Sequence, residues 1–239
     1  MRTFVWFAYF WGYLVALVPK MRRAERCKQS DPAACEAIVN TEIPKWAKRL
    51  MRLAGAQITV TGLENIPKDK AVIFAANHQG YFDIPLLLAY LDKPHALVSK
   101  IEISKMPLIR TWMRMFDCIF IDRANPRHSV AGLNEAIRLV ESGKSVGIFP
   151  EGTRAKGGPL GEFKAGVFRI AAKTRAPIVP LAISGTHNLM EANGYWIRPA
   201  NVTLHILPAI DIEALDKEAL KALPARVQES IAAALNEHI

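Results

Sequence analysis

Cysteine is scarce in this sequence, and the pattern of a disulfide-bonded or metal-binding protein is missing. The 239 residues include three cysteines, Cys27, Cys35 and Cys118, an odd number without metal-ligand spacing. This scarcity predicts reduced thiols in a protein that faces the cytosol, and it predicts no metal site. A chain of this length can bury a sizeable core without disulfides, so we expect one main domain and a smaller appendage.

The motifs of several common enzyme classes are also absent. The sequence contains no Gly-x-Ser-x-Gly nucleophile elbow and no His-Glu-x-x-His zinc motif. The letters GKS at 143–145 precede a predicted strand and have Arg138 where a P-loop needs its first glycine, so they indicate a turn. A covalent serine mechanism, a zinc hydrolase and a P-loop nucleotide site therefore have no local support.

Acidic residues are outnumbered by basic ones, 22 to 31, which gives a formal net charge of +9. This excess predicts attraction to anionic surfaces, whether nucleic acid, phosphate-bearing substrates or lipid headgroups. Much of the positive charge lies in the first quarter of the chain. It forms two clusters, Lys20, Arg22, Arg23, Arg26 and Lys28, and then Lys45, Lys48, Arg49 and Arg52.

The uncharged run at 4–18, FVWFAYFWGYLVALV, is shorter than the roughly 20 residues of a comfortable transmembrane helix. The basic letters PKMRRAER follow it, which argues against cleavage as a signal peptide. Its many aromatic rings favour the headgroup boundary of a membrane. Three interpretations stay open, namely a helix in the membrane interface, a short span and a buried core helix.

The segment PKWAKRLMRL at 44–53 favours membrane association. Its apolar residues Trp46, Leu50, Met51 and Leu53 share one helical face beside the second basic cluster, as in an interfacial helix, although a solvated helix face explains it equally well. We therefore predict membrane-associating helices over 1–54 and an α/β domain over 55–239. If residues 4–18 span the membrane, the basic excess after them places the main domain on the cytoplasmic side.

From Gln57 onward, short β-branched runs alternate with longer helical patterns. Strands are predicted at 58–62, 71–76, 96–100, 118–121, 145–149, 177–184 and 202–207, and helices at 83–92, 102–115, 127–142, 165–174 and 214–237. The alternation predicts an α/β fold with a mostly parallel central sheet flanked by helices. Ligands of such folds bind at the carboxyl ends of the strands, so the residues that follow the strands are the candidates.

A histidine and an aspartate follow the strand at 71–76, in the segment NHQGYFDIP. His78 is suited to take a proton near neutral pH, and Asp83 could fix its tautomer. Residues five apart point about 140° away from each other on a helix, so His78 must lie in a turn and Asp83 at the start of the next helix. A simple turn with Asp83 as the N-cap ahead of Pro85 explains the same letters.

Basic side chains follow three other strands, at Lys100, at Arg123 and in FPEGTRAKGG at 149–158. In the last segment, Gly152 permits close approach of the backbone, and Arg154 can grip a phosphate with two parallel donors. A solvated surface loop is the alternative explanation. Because the chain offers a base but no nucleophile, the nucleophile is predicted to be a hydroxyl of a phosphate-bearing substrate that attacks an activated acyl group.

Four segments in this order, 77–83, 119–123, 149–154 and 178–181, resemble the conserved blocks of the glycerolipid acyltransferases. They are most similar to the 1-acyl-sn-glycerol-3-phosphate acyltransferases, over about 57–207. Two positions depart from the family pattern. Gly80 stands where many members have serine, and Asp117 stands where the second block often begins with glycine. Neither removes a catalytic group, but both leave the choice of substrate open.

The resemblance implies transfer of a fatty acyl group from acyl-CoA or acyl carrier protein to the sn-2 hydroxyl of 1-acyl-sn-glycerol 3-phosphate (lysophosphatidate), which gives phosphatidate. It implies that His78, oriented by Asp83, is the general base, with no covalent enzyme intermediate, no metal and no dissociable cofactor. The implied phosphate-binding residues are Lys100, Arg123, Glu151, Gly152, Thr153 and Arg154. The family often carries a membrane-seated N-terminal helix pair, which implies the cytoplasmic face of the inner membrane, with peripheral attachment or one short span.

Two alternatives remain open at the level of sequence. The acceptor could be another lyso-lipid, such as a lyso-ornithine lipid or a lysophospholipid. The chain could instead be a non-catalytic protein that binds anionic membranes or nucleic acid, but this leaves the acidic residues Asp83, Asp122 and Glu151 unexplained. We expect a lysophosphatidate acceptor, an anionic membrane surface as partner, and no nucleic acid.

Overall fold

Three helices precede the sheet in the computed structural model, which describes residues 1–122 and 124–236. They are α1 (Arg2–Ala16), α2 (Val18–Ser30) and α3 (Pro32–Ala54). Helix α3 begins where the Asp31 side chain accepts a hydrogen bond from Ala34 N at 3.1 Å, and it ends at Gly55, whose φ of +80° is easy for glycine. Helix α1 buries Trp6 and Leu14 but exposes much of its other side, so it is not a core helix.

No single helix within the described ranges is long and apolar enough to cross a membrane. Helices α1 and α2 have the length and composition for a span only as a pair, and the pair is bent by 49°. The bend lies at Leu17, between the two helices. Pro19 follows in the first turn of α2, a position that proline tolerates because the N–H groups of the first turn have no partner within the helix. How the N-terminal helices meet a membrane stays a prediction.

Seven strands form one sheet in the order β1-β7-β6-β2-β5-β3-β4. They are β1 (Ala56–Thr61), β2 (Ile73–Ala76), β3 (His95–Lys100), β4 (Ile119–Ile121), β5 (Ser145–Ile148), β6 (Ile178–Ser184) and β7 (Ala200–Ile206). Strands β6, β2, β5, β3 and β4 are parallel to one another, whereas β7 runs antiparallel to β6 and pairs in parallel with β1. The predicted mostly parallel sheet is confirmed, with a reversed pair at one side.

The helices of the α/β part are α4 (Asp83–Tyr90), α5 (Ile109–Met115), α6 (Pro126–Glu141), α7 (Ala165–Thr174) and α8 (Lys217–Asn236). Most of them match the predicted helices within a few residues. The helix predicted at 102–115 is divided, since a 3-10 helix at Ile101–Lys105 precedes α5. The break comes at Met106, which is extended (ψ 118°) because Pro107 follows it and disfavours the helical conformation.

Hydrophobic core residues cover both faces of the sheet. Phe74 and Ala76 of β2 belong to the core that includes Trp6, Leu50 and Phe82, from the side of α1, α3 and α4. The alternate residues of β2, Ile73 and Ala75, belong to the core formed with α6, α7 and α8. Because β2 is buried on both faces, its carboxyl end and the loop that follows are firmly anchored.

Asp117 explains one departure from the family pattern. Its φ of +56° lies in the left-handed region, which glycine adopts more easily than aspartate. Burial raises the pKa of this carboxyl group, but hydrogen bonds from Lys144 at 2.6 Å and Lys28 at 3.0 Å outweigh burial and bring the pKa below its ordinary value. Asp117 precedes β4, so it lies at the amino ends of the parallel strands, whereas His78 lies at their carboxyl ends. Its ion pairs join Lys28 of α2 to Lys144, the residue before β5.

Candidate active site

His78 and Asp83 form a direct pair in the loop between β2 and α4. The distance from His78 Nδ1 to Asp83 Oδ2 is 2.6 Å, and the Asp83 residue is fully buried. The N-cap of α4 is Phe82, not Asp83, so the interpretation of Asp83 as an N-cap is wrong. Asp83 Oδ2 instead accepts from the backbone N–H groups of Gln79 at 2.7 Å and Gly80 at 3.0 Å, which fold the loop back over the carboxylate.

The second carboxylate oxygen of Asp83 accepts a hydrogen bond from the Thr186 hydroxyl group. Thr186 follows β6, the strand beside β2, so it reaches the same edge of the sheet. Together with the three donors to Oδ2, it compensates the burial of the negative charge. Thr186 was not among the predicted site residues, although it follows β6 just as His78 follows β2.

The imidazole of His78 is held in one orientation. It stacks on the Phe149 ring with a centroid distance of 4.0 Å and an interplanar angle of 22°, and 15% of the side chain is exposed. Because the Asp83 carboxylate can only accept, this hydrogen bond assigns the proton to Nδ1 and leaves the lone pair on Nε2. Nε2 is therefore the atom of His78 that can take a proton from a substrate.

Hydrogen bonds that involve the backbone fix the loop at 77–83, called the catalytic loop below, to its neighbours. The Asn77 side chain replaces strand pairing beyond the end of β2, since it donates to Ile183 O at 2.9 Å and accepts from Ile183 N at 2.7 Å. The carbonyl group of His78 accepts from Ala155 N at 2.7 Å, and that of Gln79 accepts from Lys156 N at 3.0 Å. The loops after β2 and β5 thus form one unit.

Glu151 joins these loops through both carboxylate oxygens. It is 4% exposed, and Oε1 accepts from His78 N at 2.7 Å while Oε2 accepts from Gly161 N at 2.8 Å. A phosphate group would also repel a carboxylate, so this geometry favours a positioning role over direct phosphate contact. Gly152 beside it has a φ of +69°, and its Cβ position would lie 2.9 Å from Lys164 Nζ, so only glycine brings this lysine so close.

Arg154 lies beside the catalytic loop. The Cζ atom of its guanidinium group is 3.6 Å from the centroid of the Tyr81 ring, and its Nη1 is 3.8 Å from Glu191 Oε1. Nη1 is buried and has no hydrogen-bond partner among residues 1–122 and 124–236. A guanidinium group that is partly exposed and rests on Tyr81, in the same loop as His78, suits an anionic oxygen of a substrate.

The remaining predicted site residues are less tightly placed. Lys100 is exposed at the carboxyl end of β3, and β5 separates β3 from β2. Thr153 is exposed in the loop after β5. Arg123 lies outside the described residues. The structure therefore groups His78, Asp83, Glu151 and Arg154 in neighbouring loops, while the phosphate-binding roles of all six predicted residues stay predictions.

The sequence and the fold both match known proteins. A family model described as acyltransferase matches residues 57–184. A 1-acyl-sn-glycerol-3-phosphate acyltransferase of Borreliella burgdorferi is 34% identical over 180 residues, which are 75% of this chain and 72% of that protein. The chloroplastic 1-acyl-sn-glycerol-3-phosphate acyltransferase LPAT1 of Arabidopsis thaliana is 41% identical over 135 residues, 56% of this chain but 38% of the plant protein.

Among solved structures, the fold is similar to the crystal structure of PlsC, the 1-acyl-sn-glycerophosphate (LPA) acyltransferase of Thermotoga maritima. The TM-score is 0.83 at 30% sequence identity. The match covers 99% of this chain and 97% of the Thermotoga chain, so it includes the N-terminal helices as well as the sheet.

Proposed function

The chain belongs to the 1-acyl-sn-glycerol-3-phosphate acyltransferase family, and we propose that it transfers a fatty acyl group from an acyl thioester to the sn-2 hydroxyl of lysophosphatidate. The product is phosphatidate, and the released group is the free thiol of coenzyme A or acyl carrier protein. The observation that carries the proposal is the His78–Asp83 pair, at 2.6 Å, in the same group of loops as Arg154. A non-catalytic membrane binder would have no use for a fully buried carboxylate that orients a histidine.

The proton transfers balance without a covalent intermediate on the protein. Nε2 of His78 takes the proton of the sn-2 hydroxyl as that oxygen attacks the thioester carbonyl carbon. The Asp83 carboxylate stabilises the imidazolium that forms and keeps Nδ1 protonated. The tetrahedral intermediate then breaks its carbon–sulfur bond, and the leaving sulfur receives the proton from His78. Every step uses side chains of the enzyme and its two substrates, so we expect no metal and no dissociable cofactor.

The acceptor is proposed to be recognised by its phosphate group through Arg154. We expect that Arg154→Ala raises the KM for lysophosphatidate by about 10- to 100-fold with a smaller change in kcat, because it removes a charge-assisted, two-donor contact. The measurement is mass spectrometry of products from a panel of lyso-lipids, with acyl-CoA and acyl carrier protein as alternative donors. Wild-type enzyme should prefer lysophosphatidate over acceptors without a terminal phosphate by about 100-fold or more in kcat/KM.

Arg138→Ala is the matched control for Arg154→Ala. Arg138 is an exposed arginine in the last turn of α6, which leads to the amino end of β5 at the opposite edge of the sheet. Its replacement should leave the preference unchanged. Equal product from lysophosphatidate and lyso-ornithine lipid would contradict the proposed acceptor. A preference that survives in Arg154→Ala would instead place the phosphate at another cation.

The N-terminal helices are proposed to seat the enzyme on the cytoplasmic face of an anionic membrane. Helix α1 exposes apolar side chains, namely Phe4, Val5, Phe7, Trp11 and Val15. The buried side of the same helix packs on the loop that holds the catalytic pair, since the ring centroids of Trp6 and Phe82, the residue before Asp83, are 5.3 Å apart, so the exposed apolar side lies one helix away from that loop. A lipid acceptor can then reach His78 without leaving the interface.

Helix α3 supplies the matching positive charge. Lys45, Lys48, Arg49 and Arg52 are exposed at helical spacing and line a depression of about 370 Å³ together with Tyr90. Within the described ranges, none of the four forms an ion pair within 4.0 Å, so their charge is available to lipid phosphates. Cations near a membrane surface contribute about 1 kcal/mol each to binding of anionic lipid.

Replacing these four cations with glutamine should weaken binding to phosphatidylglycerol vesicles by about 1,000-fold and have little effect on binding to phosphatidylcholine vesicles. Vesicle co-sedimentation at low and high salt measures the effect, which should shrink as salt rises. The matched control replaces Lys173, Lys217, Lys221 and Arg226, exposed or partly exposed cations of α7 and α8 on the other face of the sheet. Equal losses in both quadruple variants would contradict a membrane-facing α3.

A further inference from the structure

Glu191 is a buried carboxylate beside the catalytic loop, outside the four family-like segments. It opens a short 3-10 helix, Glu191–Asn193, and its side chain is 2% exposed. Oε1 accepts a hydrogen bond from Tyr81 N at 2.7 Å, but Oε2 is buried without a hydrogen-bond partner in the described part of the chain. A buried charge with so few donors destabilises a protein, so its presence calls for a reason in the site.

Glu191 is connected to Arg154 in two ways. Its Oε1 lies 3.8 Å from Arg154 Nη1, which is close enough for attraction but too long for a hydrogen bond. It also fixes the backbone of Tyr81, and the Tyr81 ring is the surface on which the guanidinium group of Arg154 rests at 3.6 Å. The position of the proposed phosphate-binding cation therefore depends on Glu191 both directly and through Tyr81.

Glu191 also packs against the glycine at position 80. A Cβ atom there would lie 2.8 Å from both Oε1 and Oε2 of Glu191, closer than real contacts allow. The φ of Gly80 is not positive, so the backbone itself would accept a side chain. Gly80 N donates to Asp83 at 3.0 Å, so Glu191 packs directly against a residue that holds the catalytic aspartate.

We propose that Glu191 is a positioning residue that fixes the catalytic loop at Tyr81 and holds the guanidinium group of Arg154 ready for the substrate phosphate. The proposal rests on the proposed function, since it requires an acceptor with a phosphate group. The carboxylate stays 3.8 Å from Nη1, too far for a hydrogen bond, and the Arg154 side chain is still 26% exposed, so the exposed part of the guanidinium group can meet an incoming oxygen. Gly80, which has no side chain, leaves room for this carboxylate.

The first test is Glu191→Gln, which keeps an oxygen for Tyr81 N–H and removes the charge. The KM for lysophosphatidate should rise about 5- to 10-fold, while kcat and the KM for the acyl donor stay within about twofold of wild type. A role confined to packing of the loop predicts no such difference between the two substrates. Glu141→Gln, an exposed glutamate at the end of α6, is the control and should match wild type.

The second test is a double-mutant cycle of Gly80→Ser and Glu191→Ala. A serine at 80 should push the flexible carboxylate aside, and so it should remove the same contacts to Tyr81 and Arg154 that Glu191→Ala removes. Each single variant should lower kcat/KM for lysophosphatidate by about 10-fold, and the double variant should be no worse than about 10-fold below wild type. Melting temperatures of the four proteins should show the same non-additivity.

Single losses that multiply to about 100-fold in the double variant would overturn the coupling of the two positions. An unchanged or lower KM in Glu191→Gln would overturn the role of the charge. If wild-type protein forms phosphatidate but the losses of the two single variants are additive, only the proposed role of Glu191 fails and the proposed function stands. If wild-type protein forms none, the proposed function fails, and the positioning role for the phosphate fails with it.

Discussion

Replacing His78 with alanine should lower kcat for phosphatidate formation by about 10,000-fold, because Nε2 of His78 is the proposed acceptor of the substrate proton. The fold should survive, since the loop is fixed by the backbone of this residue. His78 N donates to Glu151 and its carbonyl group accepts from Ala155 N, and both contacts are independent of the side chain. Single-turnover assays with purified enzyme, lysophosphatidate and acyl-CoA measure the loss.

His128→Ala is the matched control, because His128 is an exposed histidine on α6. It should retain wild-type activity. Circular dichroism and melting curves of both variants separate a loss of chemistry from a loss of structure. Activity of His78→Ala within about 10-fold of wild type would show that another group takes the proton, and the assignment of the base would have to be abandoned.

The fold was predictable because its buried parallel strands are short β-branched runs between helical patterns. The exact pairing was not, since nothing in the residues of β7 indicates that it runs antiparallel to β6. The break at Met106 could have been predicted from Pro107, whose effect on the preceding residue is local. Helix α3 was harder to predict, because proline usually ends or kinks a helix and α3 continues through Pro44 to a total length of 23 residues.

The candidate site was predictable where it is local in sequence. The His78–Asp83 pair lies within one loop, and the edge rule for parallel sheets brings the 149–154 segment beside it. Thr186 follows β6, so the same edge rule could have selected it, but not its contact with Asp83, 103 positions earlier. Glu191 could not be predicted, because it acts on Tyr81, 110 positions earlier in the chain. Their 3-10 segments show no periodic pattern, so only the folded sheet edge shows what they contact.

The charge of Asp83 and its hydrogen bonds can be tested separately. Asp83→Ala removes the acceptor of four donors, from His78, Gln79, Gly80 and Thr186. It frees the tautomer of the imidazole and leaves buried donors unpaired, so kcat should fall about 1,000-fold and stability should fall as well. Asp211→Ala, an exposed aspartate near the amino end of β6, is the control for a lost carboxylate.

Asp83→Asn should be milder, with kcat about 100-fold below wild type. Oδ2 of Asp83 is surrounded by three donors, so the asparagine must place its oxygen there. Its NH₂ group then points toward Thr186, whose hydroxyl group can rotate and accept. The oxygen then still accepts from Nδ1, and the tautomer is kept while the negative charge is lost. The difference between Asn and Ala therefore measures orientation, and the residual loss in Asn measures stabilisation of the imidazolium. Equal activities of the two variants, measured with lysophosphatidate and acyl-CoA, would contradict this arrangement of donors around Asp83.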